Sequence, residues 1–161
     1  MELTKKITDA FNAQINAEMW SSNLYLAMAI YCKETGLEGC AHWMKKQAEE
    51  EMSHAYKLID YAVKRGGKII ISRIDVVPHE WENLLSVFER VYRHECYVSE
   101  MIDKFMDVAI EENDKATQEF LRWFIKEQIE EEDVAKTIFD KFKSFGDYAL
   151  YDIDNELGKR N

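Results

Sequence analysis

The chain is poor in residues that break regular structure: it has one proline, Pro78, and six glycines in 161 residues. That scarcity argues against a β fold with many tight turns, which would need Gly and Pro at each reversal. Cysteine is also scarce. Cys32, Cys40 and Cys96 are odd in number and form no C-x-x-C pair, so neither a disulfide framework nor a thiolate metal site is indicated, and a reducing compartment fits. No apolar run reaches membrane-spanning length, and the opening stretch "MELTKKITDAFNAQ" is amphipathic without the apolar core of a signal peptide. No membrane partner is expected, and the location is expected to be cytoplasmic. A basic excess is missing too: 31 acidic residues stand against 21 basic ones, a net charge of −10. Phosphate backbones need a basic surface, so nucleic acid is not an expected partner. An acidic surface attracts cations, or simply keeps the chain soluble.

What is present is helical periodicity. Charged residues make up 32% of the chain and aromatics 12%, and the apolar positions recur at spacings of three, four and seven. Four long runs are predicted, at about 4–34, 39–65, 80–113 and 114–145, with a short tail helix at about 148–157. In the first, Ile7, Phe11, Ile15, Met19, Leu26 and Ile30 mark the apolar stripe. Gly36 and Gly39 punctuate the first turn, and Gly66 after Lys64 and Arg65 reads as a helix C-terminus. The segment "GGKIIISRIDVVPH" between the second and third runs is rich in β-branched residues and should be extended. Its fourteen residues reach roughly 46 Å, enough to travel the length of a helix of about 40 Å. A hairpin, a long crossover and a second hairpin make an all-α four-helix bundle with one crossover in a single domain.

The acidic residues inside these helices carry the chemistry. Glu18 precedes Glu51 by 33 residues, Glu95 precedes Gln128 by 33, and Glu51/His54 is echoed by Gln128/Glu131 at an offset of 77. Residues three apart share a helix face. Antiparallel packing of each hairpin then brings Glu18, Glu51, His54, Glu95, Gln128 and Glu131 to one level near mid-bundle. Several carboxylates cannot stay ionised together in an apolar core without cations. Oxygen ligands with one imidazole suit iron or manganese better than structural zinc. A Glu from each of two helices and a Glu-x-x-His from each of the others is a known di-iron bundle arrangement; here the second motif reads Gln128/Glu131. Tyr25 lies two turns after Glu18 on the same face and could hydrogen-bond a ligand, or serve as a core residue. His94 neighbours Glu95 but points about 100° away and is expected to be structural or at the surface. His42 and His79 belong to no constellation, and Trp20, Trp43, Trp81 and Trp123 are expected to pack.

The stretches "NAEMWSSNLYLAM", "AEEEMSHAYKLIDYA", "YRHE" and "FIKEQIEEE" closely resemble the bacterial non-haem ferritins, in order and along nearly the whole chain. The resemblance implies an iron-storing shell of 24 identical subunits with a ferroxidase centre in each bundle, taking Fe(II) and either O2 or H2O2 as reactants. It places a first iron site at Glu18, Glu51 and His54, and a second at Glu51, Glu95 and Glu131. A third, more open site falls at Glu50, Glu127, Glu130 and Glu131. Met52 holds the position of the haem ligand in bacterioferritins, but those proteins carry the second Glu-x-x-His, so no haem is expected. Peroxide-reducing bundles of the rubrerythrin kind add a C-x-x-C iron module, which is missing here. Animal ferritins line a three-fold channel with acids seven and ten positions before the fourth-helix glutamine. Those positions are Leu121 and Gln118 here, so the acidic funnel is expected to be lost, with Asp114 and Glu119 nearby.

Overall fold

In the computed structural model, which describes residues 1–161, four long helices form the fold: α1 (Lys5–Glu34), α2 (Glu38–Lys64), α3 (Leu84–Glu111) and α4 (Lys115–Phe145). A 3-10 turn at Gly146–Ala149 leads into the short α5 (Leu150–Leu157). Side-chain caps start three of the long helices. Thr4 accepts from the Ile7 amide, and Asp114 from the Thr117 amide. Asn83 accepts from the Ser86 amide at 2.9 Å while the Asn83 amide donates to Ser86 Oγ at 3.2 Å. This reciprocal capping box starts α3 at Leu84 rather than near residue 80, and Trp81 just before it packs edge-on against Tyr31.

Left-handed residues end the first three helices: Gly36 at φ 78°, Gly66 at 76° and Asn113 at 58°. At Gly66 the geometry is explicit. Its amide donates to the Val63 carbonyl at 3.0 Å and the Gly67 amide to Ala62 at 2.8 Å, the paired bonds of a Schellman stop. The chain then runs extended along α1 without regular secondary structure. Asn12 holds it at both ends of its amide, donating to the Lys68 carbonyl at 3.0 Å and accepting from the Ile70 amide at 2.9 Å. Asn16 donates to the Arg73 carbonyl at 2.9 Å. From Asn12 to the Trp81 contact on Tyr31 the strap covers about 28 Å of helix. The one-crossover bundle expected from the sequence is the observed fold.

The core is divided. One apolar cluster includes Leu24, Tyr25, Met28, Met44, Phe88 and Phe142; the other includes Ile7, Phe11, Leu58, Ile102, Leu121 and Phe124. Between them lie the buried polar residues Gln14, Glu18, Gln47, Glu51, His54, Glu95, Gln128 and Glu131.

Two sequence expectations need correction. Leu26 and Ile30 are 49% and 52% exposed. At 100° per residue they lie about 100° and 140° from the line of Ile7, and the buried stripe continues through Leu24, Tyr25, Met28 and Cys32 instead. Leu121 is wholly buried in the second cluster, and Gln118 donates to the Ala109 carbonyl. The two positions at which the acidic funnel was expected to be lost are thus a core leucine and an amide turned to the main chain. Asp114 is occupied as the α4 cap and by the Arg65 guanidinium, 3.1 Å away. The second correction concerns Gly39, which is inside α2 and does not punctuate a turn.

Its role is close approach. A Cβ on Gly39 would lie 1.7 Å from the Asp154 carbonyl oxygen of α5, while the Asp154 carboxylate accepts from the Cys40 amide at 2.7 Å. Gly39→Ala is therefore expected to cost about 1–3 kcal/mol of stability and to undock α5. Hydrogen exchange over 150–157 should accelerate in the variant; unaltered protection there would mean that the glycine contact does not seat the helix.

Candidate metal centre

Each long helix presents one turn to the polar layer. Glu51 and His54 stack one turn apart on α2, with His54 Nδ1 3.2 Å from Glu51 Oε2 and 3.9 Å from Glu18 Oε2. The glutamine four residues before each of the first two glutamates braces it. Gln14 donates to Glu18 Oε1 at 3.1 Å, and Gln47 donates to Glu51 Oε1 at 3.2 Å and across the bundle to Glu131 Oε2 at 2.9 Å. The Tyr25 hydroxyl donates to Glu95 Oε1, so Tyr25 is a partner of a candidate ligand as well as a core residue. Gln128 donates to Glu95 Oε2 and to the Glu95 carbonyl, both at 3.2 Å.

Glu18 Oε2 is buried and has no hydrogen-bond partner. A lone pair without a partner in an apolar interior is costly, and it is the position a cation would satisfy. The donor set fits that reading. Ligand atoms of Glu18, Glu51 and His54 come within 4.8 Å of one another, as do those of Glu51, Glu95 and Glu131, and Glu51 belongs to both groups. A further group joins Glu50, His54, Glu127 and Glu131. Glu130 is exposed and outside all three groups, although its charge reaches Glu127. Gln128 contributes to none of the groups as a charged ligand; its amide orients Glu95.

Electrostatics follow from packing four acids together out of water. Burial first, and the charges of Glu95 and Glu18 next, push the Glu51 carboxyl well above the usual range. Burial raises Glu95 to about 7 against the opposing hydrogen bonds from Tyr25 and Gln128. Burial together with Glu95 and Glu50 raises Glu131 to about 9. Glu18 moves the other way: burial opposes its ionisation, but the His54 contact and the neighbouring groups outweigh it. The His54 imidazole is correspondingly raised, burial being outweighed by Glu18.

Three further participants, Gln14, Gln47 and Arg160, were not read from the sequence. Gln14 and Gln47 were legible in principle, since both sit one turn before a candidate ligand and are themselves 33 apart. His94, expected to be structural or at the surface, is structural: it is buried with its Nε2 2.7 Å from Ser21 Oγ, and burial lowers it to about 4. Arg160 pairs with Glu50 at 2.7 Å, a contact between residues too distant in sequence for spacing to reveal. Trp123 packs edge-on against His54 and carries Lys57 Nζ over its ring.

A family model described as a ferritin-like domain matches residues 8–145. A bacterial non-heme ferritin of Bacteroides fragilis (strain 638R) is 52% identical over 158 residues, covering 98% of this chain and 99% of the relative. The chain belongs to the ferritin family. A probable bacterial non-heme ferritin-like protein of Haemophilus influenzae is 37% identical, covering 97% of this chain and 96% of its own. Among solved structures, an open pore ferritin from the hyperthermophilic archaeon Archaeoglobus fulgidus superposes with TM-score 0.97 at 40% identity, covering 99% and 98% of the two chains. Family and fold together make this ferritin an iron-storage protein, and its buried acids and imidazole supply groups that could hold the metal.

The proton affinities give a test that needs no turnover. In the metal-free protein Glu95 and Glu131 hold protons that the unfolded chain, near 4.5, has released. A raised folded-state value gives stability that is complete below the unfolded value and is lost as pH rises through the folded one. The melting temperature of chelator-treated protein should fall between about pH 5 and about pH 9, and saturating Zn(II) should flatten that fall by replacing the protons. A metal-free melting temperature that holds level or climbs over this window would contradict the buried-acid assignment.

Proposed function

We propose that the polar layer is a ferroxidase centre that oxidises Fe(II), taken as substrate, and passes ferric iron to a mineral stored inside a shell of 24 chains. The observation that carries this reading is the pair of buried three-residue groups sharing Glu51. Such sharing holds two cations side by side and lets them give up electrons together. Two ferrous ions release two electrons. With two protons these reduce O2 to H2O2, or reduce H2O2 to two waters.

Charge balance explains why the iron moves on. Glu18, Glu51, Glu95 and Glu131 neutralise two ferrous ions when ionised. Two ferric ions leave an excess of two positive charges, which hydroxide drawn from water removes while releasing protons. With one imidazole in the donor set, and a neutral amide at Gln128 where the motif would place a further carboxylate, the product is held loosely. Tyr25, Gln14 and Gln47 keep the carboxylates oriented while the metal is exchanged, the work of groups one layer behind the ligands. The group that joins half-buried Glu50 and Glu127 to His54 and Glu131 then serves as a third cation position on the way out.

Self-association is supported by exposed apolar side chains on successive elements: Leu26 and Ile30 on α1, Tyr56 and Val63 on α2, and Ile70 and Ile71 on the crossover. No helix is long and apolar enough to cross a membrane, and the three free cysteines suit a reducing cytoplasm. With Gln128 and Glu131 where bacterioferritins carry the second Glu-x-x-His, a storage role without haem is the reading adopted.

Glu51→Ala in assembled particles should lower the initial rate of Fe(II) oxidation by roughly 100-fold, the upper end of what orienting residues cost and a minimum for a bridging ligand. His54→Ala should follow closely. Glu50→Ala should act on the later phases and the stoichiometry more than on the first phase. Stopped-flow absorbance of the ferric product reads all three, and a wild-type initial rate in an intact Glu51→Ala particle would overturn the assignment.

A further inference from the structure

Arg160 follows α5 and reaches back to the inner helices. Its Nη1 donates to the Trp43 carbonyl at 3.0 Å, its guanidinium lies 4.8 Å from the centre of the Trp43 ring, and its Nη2 donates to Glu50 Oε2 at 2.7 Å. Its own carbonyl accepts from His42 Nε2 at 2.5 Å. The guanidinium is thus fixed from several directions, and its side chain is only 23% exposed. It is the single Lys or Arg that forms an ion pair with any carboxylate of the Glu50, Glu127 and Glu131 group. Lys46, one turn before Glu50, pairs with Glu49 instead, and Lys57, two turns beyond it, is drawn over the Trp123 ring.

Glu50 is therefore already paired with a positive charge that belongs to the chain. A divalent cation binding among Glu50, His54, Glu127 and Glu131 needs the same carboxylate. We propose that Arg160 is an internal counter-cation that competes with the third metal ion for Glu50, so that filling this position releases Arg160 and loosens α5. The inference rests on the metal-centre reading given above and adds a coupling to it. α5 is seated by the close approach of Gly39, by Asp154 on the Cys40 amide and by buried Ile153 and Leu157, so releasing the Arg160 side chain removes the anchor beyond its C-terminal end and loosens the helix without detaching it. Coupling of this kind is reciprocal. A cation at the third position weakens the seating of the tail, and a firmly seated tail weakens the cation.

Calorimetric titration of the assembled, metal-free full chain with Zn(II), which does not change oxidation state, separates the possibilities. A partly exposed ion pair is worth up to about 1 kcal/mol, so Arg160→Gln should tighten the third Zn(II) per subunit by about fivefold and leave the first two unchanged. Arg160→Lys, which keeps the charge but loses the planar fork, should fall between the two. In a Glu50→Gln background, Arg160→Gln should have no further effect. As a structural readout, Zn(II) saturation should raise hydrogen exchange over 150–157 in the wild type but not in Arg160→Gln.

An unchanged or weaker third Zn(II) in Arg160→Gln, with the first two bound normally, would overturn the competition alone. Failure of the wild type to bind the first two would overturn the metal-centre reading instead. Size-exclusion of each variant establishes assembly. If Arg160→Gln fails to assemble, Arg160→Lys carries the same comparison with a smaller expected shift.

Discussion

Four buried carboxylates must share the middle of a helical bundle, and the rest of the molecule is arranged around that constraint. An interior this poor in water cannot hold four negative charges unaided. The chain meets the problem with protons on Glu51, Glu95 and Glu131, whose acidities burial and mutual repulsion weaken, and with donors from Gln14, Gln47, Tyr25 and Gln128. Glu18 Oε2 alone is left with nothing to accept from. Metal affinity and proton affinity are thus two sides of one equilibrium here, because each cation that arrives must displace protons already held.

The architecture serves the layer by placing four helical turns at one depth. Equal hairpin lengths do this on each side, and the crossover lets the second hairpin enter the bundle at the same level as the first. Asn12 and Asn16 hold the crossover to α1 through its main chain at Lys68, Ile70 and Arg73, and its side chains Ile69, Val77 and Trp81 pack against the two apolar clusters. Left-handed stops at Gly36, Gly66 and Asn113 fix where each helix ends, and so fix the register of the ligands.

Most of this was legible in the sequence because it depends on periods and offsets. The constant spacing between Glu18 and Glu51, and between Glu95 and Gln128, is a property of the chain that antiparallel packing converts directly into proximity. What escaped depends on contacts between residues without a shared period. Arg160 and Glu50 meet only because α5 folds back, and α5 folds back only because Gly39 has no side chain to obstruct it. The exposure of Leu26 and Ile30 was missed for another reason: an apolar residue on a helix can face either its own core or an outer surface, and spacing over two turns does not separate these when the stripe is wide.

The division of the apolar core has a consequence for the working life of the protein. Many small metal proteins lose their shape when the metal leaves, because the metal is what holds them together. Here each side of the polar layer keeps its own set of interlocked side chains, with Phe88 against Phe142 on one side and Phe11 against Phe105 on the other. The scaffold does not depend on its cargo. A store has to be emptied as well as filled, and a container whose walls stand by themselves can pass through that cycle repeatedly.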